Sequence, residues 1–126
     1  MSELVARSIK QAELDEKLRL WVKENLKVEG QVAYVLNPPG SVGRAANYAR
    51  IYGGVRVGVA IEERRELYIM SLRSVNFDLN KALRRISKKL GIHGGGHPLA
   101  AGARVPKQLF ETFIEELNRE IASSQQ

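Results

Sequence analysis

The chain contains no cysteine, which excludes disulfide bonds and thiolate metal sites. Its apolar runs fall well short of the roughly 18 residues that a membrane span requires. The amino-terminal sequence has no basic patch followed by an apolar segment, the pattern of a secretory leader. These absences together are typical of the reducing cytoplasm, where we expect the protein to reside without membrane contact.

Aromatic residues are also scarce, at 6% of the chain, and they are scattered along it. Because a surface that reads bases by stacking needs several aromatic rings close together, sequence-specific base recognition is not indicated. The rest of the composition is ordinary for a globular domain: of 126 residues, 44% are hydrophobic and 27% are charged. This length and balance predict a single folded domain with one core.

Hydrophobic periodicity predicts four helices and four strands. The helices are expected at residues 3–27, 41–52, 79–90 and 106–122, and the strands at residues 31–36, 55–61, 67–71 and 101–105. Strands interleaved with helices are typical of an α/β or α+β layer structure, here a mixed sheet of about four or five strands flanked by helices, with a long N-terminal helix. We divide the chain into an N-terminal helical segment (1–28), a binding domain (29–122) and a disordered tail (123–126).

Most of the net charge of +6 lies in residues 78–105, which carry six basic residues and one acidic residue. Five of the basic side chains lie opposite the apolar stripe of the helix predicted at 79–90: Lys81, Arg84, Arg85, Lys88 and Lys89. They can attract a nucleic-acid backbone, with an affinity that falls as salt rises. They can equally form a solvated face that suits the carboxyl end of the helix dipole. The sequence leaves both interpretations open.

Three adjacent glycines, Gly94, Gly95 and Gly96, precede His97. Ordering such a run costs conformational entropy, so some feature of the fold must require it. A backbone without side chains can present several N–H groups to one point and form a nest for an anion such as phosphate. The alternative is that the glycines let two backbones pass closely, while His97 satisfies a neighbouring carbonyl.

The residues after the glycines predict a single helical turn, because Pro98 suits the first position of a helix and Gly102 the position after its end. The amino-terminal N–H groups of this turn would point toward the glycines and favour a phosphate beside His97. A metal site formed by His93 and His97 is disfavoured, because their four-residue spacing aligns two ligands only on a continuous helix. We therefore expect no metal site.

The segment Ser71-Leu72-Arg73-Ser74, at the end of a predicted strand, is a second candidate site. Alternation places Ser71 and Arg73 on one face of the strand, where a hydroxyl and a fork-shaped guanidinium can hold one phosphate or carboxylate. Ser74 would add a third contact. The alternative is a loop-capping cluster beside an ordinary surface arginine.

In this order along the chain, Ser71-Leu72-Arg73-Ser74 and then Gly94-Gly95-Gly96-His97 with Ala100-Ala101-Gly102 resemble the carboxy-terminal DHH-associated domain of the DHH phosphoesterases. That family includes the RecJ single-strand exonucleases and the nanoRNA and cyclic-dinucleotide phosphodiesterases. The resemblance covers residues 30–122. It implies a mixed sheet flanked by helices that holds the nucleotide or nucleic-acid end of a substrate, while a separate DHH domain cleaves it.

The resemblance also implies roles for individual residues. Arg73, Ser74 and residues 94–97 would bind phosphate or the terminal nucleotide, with Gly102 beside them. Ser71 and Ala101 would support the site. The family's manganese-binding motifs, including Asp-His-His, are absent from this sequence. We therefore expect no hydrolysis by this chain alone and no cofactor, since manganese would belong to a separate DHH domain.

Three functions follow as hypotheses. The leading one is a binding module for single-stranded DNA, single-stranded RNA or short nucleotides; tRNA is a further ligand to consider, because a related glycine-rich domain occurs in alanyl-tRNA synthetases. The second is an accessory subunit of a replication or repair assembly, in which residues 3–27, anchored by Trp21, bind a DHH-domain protein or another subunit. The third is a fragment of a manganese-dependent DHH phosphodiesterase or exonuclease.

Overall fold

The computed structural model describes residues 2–124, except for the side chains of residues 3 and 4. This part of the chain contains four α-helices: α1 (Glu3–Asn25), α2 (Val42–Gly53), α3 (Leu79–Leu90) and α4 (Phe110–Ser124). It contains six strands: β1 (Lys27–Glu29), β2 (Val32–Leu36), β3 (Val57–Arg64), β4 (Leu67–Ser74), β5 (His93–Gly96) and β6 (Ala100–Pro106). A short 3-10 helix, Lys107–Leu109, precedes α4.

The six strands form one mixed sheet in the order β1-β2-β3-β4-β6-β5. β2 and β3 are parallel, whereas the other neighbouring strands pair in antiparallel fashion. Parallel neighbours need a crossover connection, and α2 provides it. The fold class expected from the sequence, a mixed sheet flanked by helices with a long N-terminal helix, is confirmed.

The sheet has six strands rather than the expected four or five. The sequence pattern misses β1 because this strand has only three residues, two of them charged, and pairs with β2 alone. It misses β5 because this strand consists of His93 and the three glycines, in which no side chains alternate. Both missed strands lie at the edges of the sheet, where pairing on one side suffices.

Helices cover both faces of the sheet, so the apolar residues form two clusters rather than the single core expected. The larger cluster lies between the sheet and helices α3 and α4, and it includes the fully buried Leu83, Phe113 and Leu117. The smaller cluster lies between the sheet and helices α1 and α2, and it contains several alanines, among them Ala46 and Ala60. Small side chains on this side let α2 approach the sheet closely.

Helix α1 packs against the domain only through its second half, where Leu18 and Val22 are buried. Trp21 is half-buried against the smaller cluster of its own chain. The Tyr48 hydroxyl donates a hydrogen bond of 2.7 Å to the Asp15 carboxylate, which joins α1 to α2 and raises the pKa of Tyr48. Residues 5–14 of α1 are exposed.

Helix α4 extends through Ser124, so residues 123 and 124 of the expected disordered tail are helical. The rest of that tail, residues 125–126, lies outside the described residues. None of the helices within residues 2–124 combines the length and the apolar character that crossing a membrane requires.

Helix α3 begins and ends where the sequence predicts, because both ends are set by local contacts. The Asp78 carboxylate accepts a hydrogen bond of 3.0 Å from the N–H of Lys81, and Gly91 takes the left-handed conformation at the other end. We expect Asp78→Ala to lower the free energy of unfolding by about 1 kcal/mol, because the capping acceptor is lost. Asp78→Asn should stay close to the native value in urea denaturation, and equal losses for both variants would argue against a capping role.

Candidate nucleic-acid interface

One face of the sheet is only partly covered. Helix α2 packs over β2, β3 and the adjacent part of β4, whereas the same face of β6 and β5 carries exposed and half-buried residues. We call this surface the open face and define it by the residues that the strand register places on it: Ile69, Ser71, Arg73, His93, His97, Ala100, Gly102 and Arg104. It contains a shallow depression over β4, β6 and β5.

The strand register brings Arg73 and His97 into one row across the open face. Arg73 is the partner of Ala100, and the N–H of His97 donates a hydrogen bond of 2.9 Å to the Ala100 carbonyl. Two strand spacings separate the backbones of Arg73 and His97, a distance of about 10 Å. Ala100 lies between Arg73 and His97 in this row.

The next row toward the middle of the strands consists of small residues. Ser71 is the partner of Gly102, and Gly102 is the partner of Gly95. A Cβ added at Gly102 would have the Met70 carbonyl as its nearest neighbour, at 3.3 Å. This row leaves a flat floor beside Arg73 and His97. The expectation that Ser71 and Arg73 share a face of their strand is confirmed.

Arg73 is half-buried and lies against the first turn of α2. Its Nη1 donates a hydrogen bond of 2.9 Å to the Leu72 carbonyl. Gly43 leaves the space for the guanidinium, since a Cβ there would lie 2.5 Å from Arg73 Nη2. A guanidinium has five N–H donors, so several remain for a ligand after this internal bond. Nothing in the sequence pattern indicates this role of Gly43.

Ser74 lies on the opposite side from the open face and is buried. Its hydroxyl donates a 2.7 Å hydrogen bond to the Phe77 carbonyl, and its backbone N–H donates to the Leu99 carbonyl at 3.1 Å. The contact that the sequence analysis assigned to Ser74, on a bound phosphate, therefore does not fit this geometry. Ser74 instead links the two motifs, because it holds the turn between β5 and β6 from the end of β4.

The glycine run forms an edge strand and not the loop nest that we expected. The N–H of Gly96 donates a 3.1 Å hydrogen bond to Asn80 Oδ1, so this amide is not free to bind an anion. Gly95 and Gly96 have φ values of 152° and 146°, which favour glycine over other residues. Glycine is required here by the backbone conformation, and Asn80 is a supporting residue that the sequence analysis missed.

The single helical turn expected after His97 is also wrong. Pro98 and Leu99 form a two-residue connection, and Ala100 already belongs to β6. The residue pattern is ambiguous because a proline suits a tight turn as well as a helix start. Ala101 is buried in the larger cluster, on the far side of the sheet from the open face.

The part of the chain that contains both motifs matches a known protein family. Residues 28–123 match the model of the DHHA1 domain. The chain belongs to the DHHA1 family. A DHHA1 domain is an accessory domain of DHH phosphoesterases, and no catalytic DHH motif is evident in this sequence. A search of curated proteins found no match.

Solved structures share the fold of this DHHA1 domain. The pGpG-specific phosphodiesterase PggH from Vibrio cholerae matches with a TM-score of 0.68 at 11% identity, over 98% of this chain and 44% of that chain. RecJ from Thermus thermophilus, in complex with Mg²⁺, matches with a TM-score of 0.64 at 22% identity, over 96% of this chain and 19% of that chain. This DHHA1 domain thus spans less than half of either protein.

A third structure is matched over nearly its whole length. The C-Ala domain of the Aquifex aeolicus alanyl-tRNA synthetase has a TM-score of 0.54 at 16% identity, over 75% of this chain and 96% of that chain. The PggH and RecJ matches include nearly all of this chain, and therefore most of α1, whereas the family match begins at residue 28. At these identities, the likeness shows the fold alone.

The basic residues of α3 in this DHHA1 domain divide into two stripes. Arg85 Nε donates a 2.7 Å hydrogen bond to Glu120 on α4, which raises the pKa of Arg85. Lys89 Nζ donates a 3.0 Å hydrogen bond to Glu116 on the same helix. The other three have no carboxylate partner within residues 2–124: Lys81, Arg84 and Lys88. The five charges therefore do not form one uniform surface.

Neither histidine belongs to a recognisable metal centre. Within the described residues, no three or more side chains of His, Cys, Asp or Glu are grouped as a metal ion would need. His93 and His97 are both exposed, at the start of β5 and just after its end. As neutral or charged imidazoles, both can donate hydrogen bonds to an anion on the open face.

Proposed function

We propose that this DHHA1 domain binds the phosphate-bearing end of a single-stranded nucleic acid or short nucleotide on its open face, and that it has no hydrolytic activity alone. The observation that carries the proposal is the row formed by Arg73, Ala100 and His97. It combines a guanidinium and an imidazole on either side of a residue too small to block a ligand.

The chemistry of this row suits a phosphate group. A guanidinium forms paired hydrogen bonds to two phosphate oxygens, and a half-buried one holds them more tightly than a mobile surface lysine does. The imidazole of a histidine beside a phosphate can donate a hydrogen bond to one of its oxygens. The small residues Ser71 and Gly102 leave room for the sugar next to the phosphate.

The activities named for the similar structures agree with this ligand class. PggH is named as a pGpG-specific phosphodiesterase, and RecJ is named as an exonuclease, so both act on phosphodiesters. The C-Ala domain belongs to an alanyl-tRNA synthetase, which keeps tRNA among the ligands to be tested. The open face itself has no aromatic side chain, and this argues against selection of particular bases.

Fluorescence anisotropy with labelled single-stranded DNA, single-stranded RNA and tRNA, together with displacement by an unlabelled dinucleotide, tests the proposal. With about three phosphate contacts, affinity for a single strand should fall about 10- to 20-fold between 50 and 200 mM salt. Added manganese should produce no cleavage. Absence of salt-sensitive binding to any of these probes would overturn the proposal.

A second candidate is an accessory subunit that docks through α1. The observation in its favour is the exposure of Val5, Ile9 and Leu14 of α1, each more than 40% accessible. Under this hypothesis, the purified domain binds oligonucleotides poorly and co-purifies with a partner from its native cells. Ile9→Glu should then abolish co-purification, whereas it should leave oligonucleotide affinity unchanged if the open face is the functional surface.

A further inference from the structure

A second basic depression lies on the outer side of the edge strand β5. We call it the α3 depression; it has a volume of about 400 Å³, and its lining includes Arg84, Arg85, Ser87, Lys88, His93 and Gly94. Lys88 and the terminal nitrogens of Arg84 have no carboxylate partner in the described part of the chain. The depression therefore presents two uncompensated positive charges to solvent.

The floor of this depression contains an unsatisfied polar group. Ser87 Oγ is buried and has no hydrogen-bond partner among the described residues. A side chain at position 94 would press against it, since a Cβ on Gly94 would lie 3.2 Å from Ser87 Oγ. Buried hydroxyls are normally hydrogen-bonded, so an acceptor brought to this floor would remove an energetic cost.

The α3 depression lies next to the one on the open face. His93 and Gly94 line both, because they belong to the edge strand that separates them. On the open side, Arg104 is the register partner of His93 and is exposed. One path therefore leads from the open face around β5 to α3, and it is lined by Arg104, His93, Arg84 and Lys88.

The length of this path exceeds what a single phosphate can contact. Along β4, the row of Arg73 lies four residues from the row of Ile69, Arg104 and His93. At about 3.4 Å per residue, the two rows are about 14 Å apart, and the α3 depression lies beyond the second row. A ligand that touches both ends must carry several phosphates.

We infer that the α3 depression binds an additional backbone phosphate of the same single strand, so that the preferred ligand is an oligonucleotide several residues long and not a dinucleotide. This inference rests on the proposed function of the open face. Arg84 and Lys88 supply the charge for the added contact. Ser87 supplies a hydrogen-bond donor at the floor, and His93 lies between the two parts of the path.

The chain offers a matched control for the test. Arg84→Ala with Lys88→Ala removes the two unpaired charges of the depression, whereas Lys89→Ala with Lys107→Ala removes two charges that do not line it and are bonded to carboxylates. The probes are a 12-residue single strand, as DNA and as RNA, and a dinucleotide. Circular dichroism melting verifies that both double variants remain folded.

The first double variant should bind the 12-residue strand about tenfold more weakly and bind the dinucleotide as the native protein does. The slope of its affinity against salt concentration should fall by about one phosphate contact, and the control variant should lose no more than about twofold in affinity. The inference would be overturned if the two double variants lost equal affinity for the 12-residue strand. It would also be overturned if the first variant lost as much affinity for the dinucleotide as for the 12-residue strand. Native protein that binds neither probe would instead refute the proposed function itself, and the inference with it.

Discussion

Arg73→Ala should weaken binding of a single-stranded oligonucleotide by about 10- to 100-fold. Hydrogen bonds to a charged group contribute about 1.5 to 3 kcal/mol, and each 1.4 kcal/mol corresponds to a tenfold change in affinity. The loss should extend to a dinucleotide, because in the proposed function the row of Arg73 and His97 contacts the first phosphate of either ligand. Anisotropy titrations at one fixed salt concentration measure the effect.

Arg119→Ala is a suitable control for Arg73→Ala. Arg119 is an exposed arginine on α4 that is bonded to Glu116, on the other side of the sheet from the open face. Its removal lowers the net charge equally and should change affinity by no more than about twofold. Similar losses for the two variants would show that only overall charge matters, and the site would then be misplaced.

Gly43→Ala tests whether binding depends on the position of the Arg73 guanidinium and not only on its charge. A methyl group there must displace Arg73 Nη2, while every charge is kept. Because the flexible end of a side chain can move at little cost, stability should change little. Affinity should still fall by about threefold to tenfold, since a displaced fork no longer meets two phosphate oxygens in one plane.

Features set by nearby residues could be predicted from the sequence. Asp78 and Gly91 define α3 because a cap acceptor and a left-handed glycine act within one helical turn. The shared face of Ser71 and Arg73 followed from the two-residue period of a strand. The order of the two motifs was enough to indicate the family, which the match over residues 28–123 confirms.

Features that depend on distant pairing could not be predicted. A run of glycines has no side-chain pattern from which a strand could be predicted. It becomes a strand because it pairs with β6. The acceptor for the Gly96 N–H comes from Asn80, sixteen residues earlier. The division of the α3 charges depends likewise on Glu116 and Glu120, which only the packing of α4 against α3 brings near.

The two motifs act as one unit because hydrogen bonds join them. Ser74 holds the Leu99 carbonyl, and the N–H of Leu79 donates to the Pro98 carbonyl at 2.7 Å. The turn that follows His97 is therefore fixed by β4 and by the start of α3. Ser74→Ala should consequently affect the placement of His97 through this turn, and it removes no group that contacts a ligand directly.

Gly58→Ala should lower the free energy of unfolding by about 3 kcal/mol, a large share of the 5 to 15 kcal/mol typical of a small domain. A Cβ at this position would collide with the backbone carbonyl of Ala46 and lie 2.7 Å from the backbone nitrogen of Arg50. Backbone atoms within a helix cannot rotate away, so α2 as a whole must move off β3. Urea denaturation followed by circular dichroism measures the loss.

Gly102→Ala provides the comparison for Gly58→Ala, because both glycines lie in central parts of the sheet and have ordinary backbone conformations. The nearest atom to a Cβ at Gly102 is 3.3 Å away, so this variant should lose no more than about 1 kcal/mol. A movement of α2 also carries Gly43 away from Arg73, so Gly58→Ala that remains folded at low temperature should bind oligonucleotides more weakly. A Gly58→Ala protein of native stability would show that α2 is not held against β3 at this distance. The conclusion that α2 positions Arg73 would then be wrong.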